Sequence, residues 1–502
     1  MTGCHSEVTF VDTTFRDGHA SLWAEGMTTG MMLPVASQMD HIGFKSIELM
    51  ATSHFLKCVR ELRENPWDRI RLVSNKITKT PLTMMMQHSI RTFDFTPFSV
   101  LQLWMERIAV NGIKRVQVMN ASNNMSFRVP EIVTFAKGLG LEVILALTYS
   151  FSPRHTDEYY ARKTQDAVKL NVDGLYLKDP GGLLTPERTR TLVPSILGNN
   201  NGLPVELHSH CTTGLASLCY LEAMRQGIRT VHTAIPPLAN GSSQPSVLNI
   251  AKNIRFLGLT PSIDEEAIHP ISNHFRRIAN REGLPVGMPL EYDYYQYIHQ
   301  VPGGVISNLK HQLSQLKMGH RLAEVLEETV RVRKDLGYPI MVTPFSQFVV
   351  SQAALNIMSG ERYQQVSDQV IKYALGFWGK EDSDSIDANI KDRILSCPRT
   401  KELSGPRLRE PSIEELRQKL AGPGVSDEEF LLRYIVHEEK DVHMVREAEG
   451  INEYQTARNP VSSLIQALSK KGNVNYIQVR KKGFYLGLEK KENGQTRKDI
   501  RP

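Results

Sequence analysis

The sequence predicts an α/β fold, a (β/α)8 TIM barrel, followed by a C-terminal helical domain and a small basic tail. Three observations predict it. Short apolar runs recur at intervals of roughly 25 to 40 residues, each followed by a segment with helical periodicity. Eight such runs fit within about 250 residues, the length such a barrel typically needs. No G-x-G-x-x-G follows the first run and no Walker A sequence occurs, so phosphate-cradling open sheets lose support.

Taken in order, the strands are expected at residues 8–12, 45–50, 82–87, 115–120, 142–148, 174–178, 205–208 and 230–235. After Pro261 the β rhythm stops, and helical patterns run from Asp264 to about Tyr373. Residues 376–411, rich in Asp, Ser, Gly and Pro, read as a linker with short helices. Helices at 412–421 and 426–436 each open on Ser-x-x-Glu, the capping-box pattern. A helix at 461–471 and strands at 475–479 and 483–488 around a Lys-Lys-Gly turn complete the tail. Its last residues, 490–501, read as a solvated, disordered end. The expected domains are 1–262, a metal-dependent barrel; 263–445, helical and completing the active site; and 446–502, a basic segment that could dock a partner.

Composition narrows the function. The chain has 502 residues, 41% hydrophobic and 23% charged, enough for a large core plus a second domain. Its longest apolar stretches, such as Val143 to Leu147, fall far short of the roughly 20 residues of a membrane helix. Residues 1–11 carry no basic region followed by an apolar segment, so no secretory signal is expected. The five cysteines, Cys4, Cys58, Cys211, Cys219 and Cys397, are scattered without a CxxC pair. That pattern disfavours disulfides and thiolate zinc sites, and suits a cytoplasmic protein. Of the net charge of +6, residues 451–502 supply +7, from 11 Lys+Arg against 4 Asp+Glu, which leaves −1 for the rest. The main body is therefore not a nucleic-acid-binding surface.

In such a barrel, catalytic groups sit where strands end and βα loops begin. Asp17 follows the first strand, Lys178 ends the sixth, and His208 and His210 end the seventh. His-x-His on a strand places both imidazoles on one face. Two imidazoles and a carboxylate on a common rim suit Zn²⁺, Mn²⁺ or a similar divalent ion. The bland alternative makes the histidines rim residues, Asp17 a helix cap and Lys178 the partner of Asp179.

These motifs resemble the carboxyltransferase domain shared by pyruvate carboxylase, the α subunit of oxaloacetate decarboxylase and the transcarboxylase subunit acting on pyruvate. Asp12-Thr-Thr-Phe-Arg-Asp17 is similar to that family's opening signature, and Glu64-Asn-Pro-Trp-Asp-Arg-Ile-Arg71 to its Glu-Asp-Pro-Trp-Glu-Arg segment. Further matches begin at Tyr149-Ser-Phe-Ser-Pro, Lys178-Asp-Pro-Gly-Gly, His208-Ser-His-Cys-Thr-Thr-Gly, Pro302-Gly-Gly-Val-Ile-Ser-Asn and Gly337-Tyr-Pro-Ile-Met-Val-Thr-Pro. The likeness covers roughly residues 8–436. It implies that Lys178 is carbamylated by CO₂ and joins Asp17, His208 and His210 as a metal ligand. It also implies that Ser307 relays a proton between biotin and substrate carbon, with Arg16 and Lys178 as further catalytic candidates. Ser307 could equally cap a helix.

The resemblance places substrate-binding positions at Ala20, Met50, His54, Gln87, Asn120 and Tyr149, and several depart from the family. Ala20 stands for its Gln. Met50-Ala-Thr-Ser-His54-Phe-Leu56 stands for Trp-Gly-Gly-Ala-Thr-Phe-Asp, and Gln87 for the arginine of Met-Leu-Leu-Arg-Gly. Asn120 and Asn124 stand where acidic residues are usual. An arginine clamping a carboxylate contributes a charge-assisted contact of about 1.5 to 3 kcal/mol that glutamine does not supply. Pyruvate is thus a poor expectation, and the acceptor is read as another enolisable carbonyl acid. The sequence holds no Met-Lys-Met biotin motif, so biotin is expected on a separate carrier protein that works with a biotin carboxylase subunit. The protein itself is expected to be a homo-oligomer. Two other functions compete with this carboxylase or decarboxylase reading: a biotin-independent, metal-dependent lyase on the same barrel, and a non-catalytic assembly subunit.

Overall fold

The computed structural model describes residues 6–91, 95–315, 317–404, 410–422, 424–448, 450–454, 468, 475–481, 484–490 and 496–501, without the side chains of 303, 304, 307, 308, 481, 484, 490 and 496–501. Residue contacts divide the chain into two units, Met1–Glu453 and Tyr454–Pro502.

The barrel strands are β1 (Glu7–Asp12), β2 (Ser46–Ala51), β3 (Leu82–Met86), β4 (Arg115–Val118), β5 (Glu142–Thr148), β6 (Gly174–Asp179), β7 (Val205–Ser209) and β8 (Thr230–Thr233). Each lies within two residues of the run that predicts it, at every boundary. All neighbours are parallel, and β1 pairs with both β2 and β8, which closes the sheet. A short β9 (Thr260–Pro261) adds to β1. Polar caps start several of the connecting helices. Asn65 accepts from the Trp67 amide at 3.0 Å with Pro66 at the first helical position, and Thr156 and Thr185 cap the helices after β5 and β6.

Register decides what faces inward. In parallel strands, residues in register present their side chains to the same face. Tyr176 pairs with Glu206, Thr148 with Lys178, and Lys178 with His208. The interior is an ionic and hydrogen-bonded network instead of layers of aliphatic side chains. Glu206 accepts from Arg115 at 2.5 Å and Lys45 at 2.8 Å, and lies 2.9 Å from His232 Nε2. Glu48 accepts from Gln117 and from Arg16, each at 2.7 Å. Buried charges carry a large desolvation cost, so this network is stable only because each carboxylate has several donors.

The helical part includes Glu265–Glu282, Tyr294–His299, Gly303–Gln315, Leu322–Asp335 and Phe345–Ser359. One apolar cluster runs from the barrel residues Met119, Ala146 and Tyr176 to Val301, Leu309, Met341, Phe345 and Phe348. The helices therefore pack onto the β4 to β6 side of the barrel. Among the described residues, the linker holds three short helices, Lys380–Asp384, Ala388–Leu395 and Pro398–Leu403. The first Ser-x-x-Glu forms the full capping box: Ser412 Oγ accepts from the Glu415 amide at 3.2 Å, and Glu415 accepts from the Ser412 amide at 2.6 Å. At the second, Ser426 caps Glu429 but the Glu429 carboxylate turns to Arg433 and Arg446. Ser412→Ala should cost about 1 kcal/mol of local stability. Amide exchange in Ile413–Leu420 should accelerate accordingly, and unchanged exchange there would show that the box carries no weight.

In the second unit, β10 (Tyr476–Lys481) and β11 (Phe484–Lys490) form the expected hairpin, with Ile477 opposite Leu488. The expectation of a disordered end is corrected. Thr496–Arg501 is a third strand, β12, antiparallel to β11. A two-stranded hairpin leaves the free edge of β11 with unpaired N–H and C=O groups, and β12 satisfies them. The charged composition that suggested disorder is equally that of a protected edge strand. The helix expected at 461–471 falls outside the described residues, apart from Leu468.

Candidate metal site at the barrel mouth

Asp17 lies in a helical turn, Thr14–Gly18, directly after β1. Its Oδ2 is 3.1 Å from His208 Nε2, 3.4 Å from His210 Nε2 and 3.8 Å from Lys178 Nζ. Lys178 Nζ is 3.4 Å from His208 Nε2, and the two Nε2 atoms are 3.3 Å apart. The ligand atoms of Asp17, His208 and His210 all lie within 4.8 Å of one another, close enough for one ion to touch all three. Asp17 Oδ2 is buried without a hydrogen-bond partner, although charged and imidazole nitrogens surround it. An oxygen placed this way fits a cation that would complete its coordination.

Neighbouring groups orient the donors. His210 Nδ1 lies 2.7 Å from the Ser242 carbonyl, so it carries the proton and leaves the Nε2 lone pair facing Asp17. His208 Nδ1 faces His232 Nδ1 at 3.2 Å, and His232 is held between Glu206 and Glu48. Gln244 Nε2 approaches His210 Nε2 at 3.1 Å, while its oxygen accepts from Thr13 at 2.7 Å. Arg16 lies between two carboxylates, 2.7 Å from Asp17 and 2.7 Å from Glu48.

Electrostatics match the geometry. Burial acts to raise the Asp17 carboxyl, but Arg16, His210 and the close approach of both imidazoles outweigh it and hold the group well below the usual carboxylate range. Burial, then Lys178, holds His208 well below the usual imidazole value and thus neutral, the form that ligates metals. Burial and then Arg16 pull the Lys178 ammonium down to about 8, against the pull of Asp17 and Glu48. About a tenth of the amine is then free at pH 7, far more than for an ordinary lysine.

The acceptor-side candidates divide. Half-buried Ala20 lies in the short helix His19–Leu22, and buried Met50 in β2. His54 is buried in the helix Thr52–Lys57, and half-buried Gln87 directly follows β3. His54 belongs to the cluster's surroundings: burial, then Arg16 and Arg69, pull its imidazole down to about 3, opposed by Asp17 and Glu48. Asn120 and Tyr149 are not brought to the cluster. Asn120 lies past the end of β4, in the turn that follows it. Its Oδ1 instead closes the turn after β4, accepting from the Ser122 and Asn124 amides at 3.0 and 3.2 Å. Thr148 shares its register with inward-facing Lys178, which turns Tyr149 away toward Asp179, Arg188 and Tyr297. Ser307 lies inside the helix Gly303–Gln315, so it is not that helix's N-cap. Its side chain is outside the described residues.

Sequence reasoning missed Gln244, His232, Glu48 and Glu206. Gln244 follows β8 in the eighth βα loop, where the rim rule applies. The other three are ionisable residues in the middle of barrel strands, a signal that they point to partners.

Residues 7–274 match the HMGL-like family, and residues 297–495 match the conserved carboxylase domain. The chain is 34% identical over 445 residues to a pyruvate carboxylase subunit of Methanocaldococcus jannaschii, an overlap of 88% of this chain and 78% of that protein. It is 28% identical over 482 residues to the 2-oxoglutarate carboxylase large subunit of Hydrogenobacter thermophilus, covering 94% and 73%. Its fold is similar, with a TM-score of 0.80, to the carboxyl transferase domain of Rhizobium etli pyruvate carboxylase solved with pyruvate. That likeness covers 99% of this chain and 89% of the other at 22% identity, and it speaks for the fold alone.

Proposed function

This chain belongs to the pyruvate carboxylase family of biotin-dependent carboxyltransferases, and we propose that it moves a carboxylate between carboxybiotin on a separate carrier and an enolisable carbonyl acid other than pyruvate. The convergence of Asp17, His208, His210 and Lys178 at the barrel mouth is the observation that carries this reading. Those four residues would hold a divalent ion, zinc or manganese. A cation there supplies electrophilic charge that offsets an enolate. Lys178 would take up CO₂ on its amine: the ammonium first loses a proton, the free nitrogen then bonds to the carbon and loses a second proton, and a cationic side chain becomes an anionic oxygen donor. Arg16, paired with Asp17 and Glu48, holds both carboxylates in place. Ser307 passes the proton between biotin nitrogen and acceptor carbon. Its helix is supported by Val301 and Leu309, both within the cluster that joins the helical part to the barrel.

The biotin carrier and a biotin carboxylase are read as partner chains, since the relatives are themselves designated subunits. Self-association as a homo-oligomer belongs to the same proposal. Among the described residues, no helix is long and apolar enough to cross a membrane, and Cys58, Cys211, Cys219 and Cys397 are free thiols. We place the protein in the cytoplasm on that basis. Free biotin should accelerate decarboxylation of carboxylated acids by the purified, metal-loaded chain. Equal rates with and without biotin would favour the lyase reading.

Substrate preference provides a further check. Ala20 and Gln87 lack the charge of a carboxylate clamp, so pyruvate carboxylation or oxaloacetate decarboxylation should run with kcat/KM below about 10⁴ M⁻¹s⁻¹, the low end of ordinary enzymes. Steady-state kinetics above that value would show that other residues perform the clamp's task.

A further inference from the structure

The connection into the helix Gly303–Gln315 is tied to the barrel rim by two buried polar side chains. Gln300 is 2% exposed and closes the helix Tyr294–His299, its amide donating to the Gln296 carbonyl at 2.9 Å. Its backbone is left-handed, φ 53°, a conformation that glycine takes freely and that strains most other residues. The side chain accounts for a glutamine at this position. Nε2 donates to the Phe151 carbonyl at 2.7 Å and the Tyr297 carbonyl at 3.3 Å, and Oε1 accepts from Ser150 Oγ at 3.3 Å. Ser150 and Phe151 lie in the loop just past β5, which ends at Thr148.

Arg333, from the helix Leu322–Asp335, reaches the same two residues. It is 5% exposed, and its Nη2 donates to Ser150 Oγ at 2.9 Å and to the Phe151 carbonyl at 3.2 Å, while Nε donates to the Pro339 carbonyl at 3.1 Å. Among the described residues this buried cation has no carboxylate partner; neutral oxygens hold it, with the Tyr338 ring 5.6 Å away. A buried charge solvated by dipoles is a poor device for stability. It suits the fixing of one geometry, because loss of any member leaves a neighbour's buried polar group unpaired.

The tie passes directly to the next helix. The Pro302 carbonyl accepts from the Val305 and Ile306 amides at 2.9 and 3.1 Å. Val301, between Gln300 and Pro302, is fully buried, and its carbonyl accepts from Gln296 Nε2 at 3.1 Å. No slack segment therefore separates Gln300 from the helix that carries Ser307.

We propose that Gln300, with Ser150 and Arg333, is a positioning residue: it clamps the start of the helix Gly303–Gln315 to the loop after β5 and so sets where Ser307 stands relative to the barrel mouth. The inference rests on the carboxyltransferase reading and extends it to a side chain that touches no reacting atom.

Gln300→Gly tests the clamp, because glycine keeps the left-handed backbone without strain while the amide is lost. In the metal-loaded full chain, amide exchange in Gly303–Gln315 should accelerate roughly tenfold, with exchange in β1 to β8 and metal content unchanged. Biotin-stimulated decarboxylation of oxaloacetate should lose roughly tenfold in kcat at constant KM, the mark of misplaced chemistry instead of weakened binding. Combined with Ser307→Ala, the same change should cost less than about twofold more, since both act through one hydroxyl. Ser150→Ala removes the oxygen shared by Gln300 and Arg333. It should give the same pattern at smaller amplitude, and it serves as the test where Gln300→Gly lowers the melting temperature. Unchanged exchange in Gly303–Gln315 in both variants, or a kcat loss that adds in full to that of Ser307→Ala, would overturn the proposal. Faster exchange in a chain whose wild type ignores biotin would sink the carboxyltransferase reading and leave the clamp standing. Biotin stimulation with unchanged exchange would do the reverse.

Discussion

Replacing His210 with alanine is expected to strip the divalent ion from the barrel mouth and lower carboxyl transfer by roughly 10³ or more, the several kcal/mol of charge stabilisation that a Lewis acid supplies. The wild type should bind about one equivalent per chain. His210 is the informative position because it serves the site more than the fold. Its Nδ1 is fixed by the Ser242 carbonyl, its Nε2 faces Asp17 Oδ2, and it lies past the end of β7. His208 is a poorer choice: it touches His232, which connects to Glu206 and the buried ion pairs of the barrel interior, so its loss would disturb folding as well. Elemental analysis of the purified variant, with circular dichroism as the folding control, reads the result. A wild-type site still empty after metal-replete growth, or a variant with full metal content, would remove the ion from the mechanism.

Much of the fold is legible because a barrel repeats one rule eight times. Each apolar run, such as Glu142–Thr148 or Gly174–Asp179, must cross a buried sheet, and the helix behind it must cover the outer face. The metal cluster is legible for a related reason: His208 in β7 and His210 just past its end sit two apart, and Lys178 lies at the same end of the neighbouring strand β6. Asn120 and Tyr149 come from the family resemblance, which gives a position along the strand without the direction of the side chain. The turn after β4 engages the Asn120 side chain, and the register of Thr148 with Lys178 turns Tyr149 away from the cluster. Gln244 carries no charge and belongs to no metal motif; its place in the eighth βα loop marks it as a rim residue, and the approach of its amide to His210 ties it to the cluster. In the tail, the charges of Arg497 and Lys498 concealed a strand whose backbone pairs antiparallel with β11. Composition misleads wherever the main chain supplies the binding energy.

Ser307→Ala should lower transfer to or from biotin by roughly 10² or more while leaving metal content and folding intact, the range expected when a positioned proton relay is lost. Transfer requires a proton to leave the acceptor carbon and reach the biotin nitrogen as the carboxylate travels the other way. A hydroxyl suits that exchange because it accepts and donates at one atom without leaving a charge in the pocket. The backbone puts Ser307 in the first half of Gly303–Gln315, and Leu309, two residues on, is 3% exposed within the cluster that anchors this helix against the barrel. Alanine is a better helix former than serine, so the variant should not unfold this element. Ser307→Thr, which keeps the hydroxyl, should retain most of the activity. The decisive measurement pairs biotin-dependent turnover with metal content for both variants. If Ser307→Ala turns over at the wild-type rate with biotin present, the hydroxyl is not the relay and proton transfer must pass through another group. If Ser307→Ala and Ser307→Thr lose activity equally, the position is steric instead of chemical, since only the hydroxyl distinguishes the two variants as proton carriers.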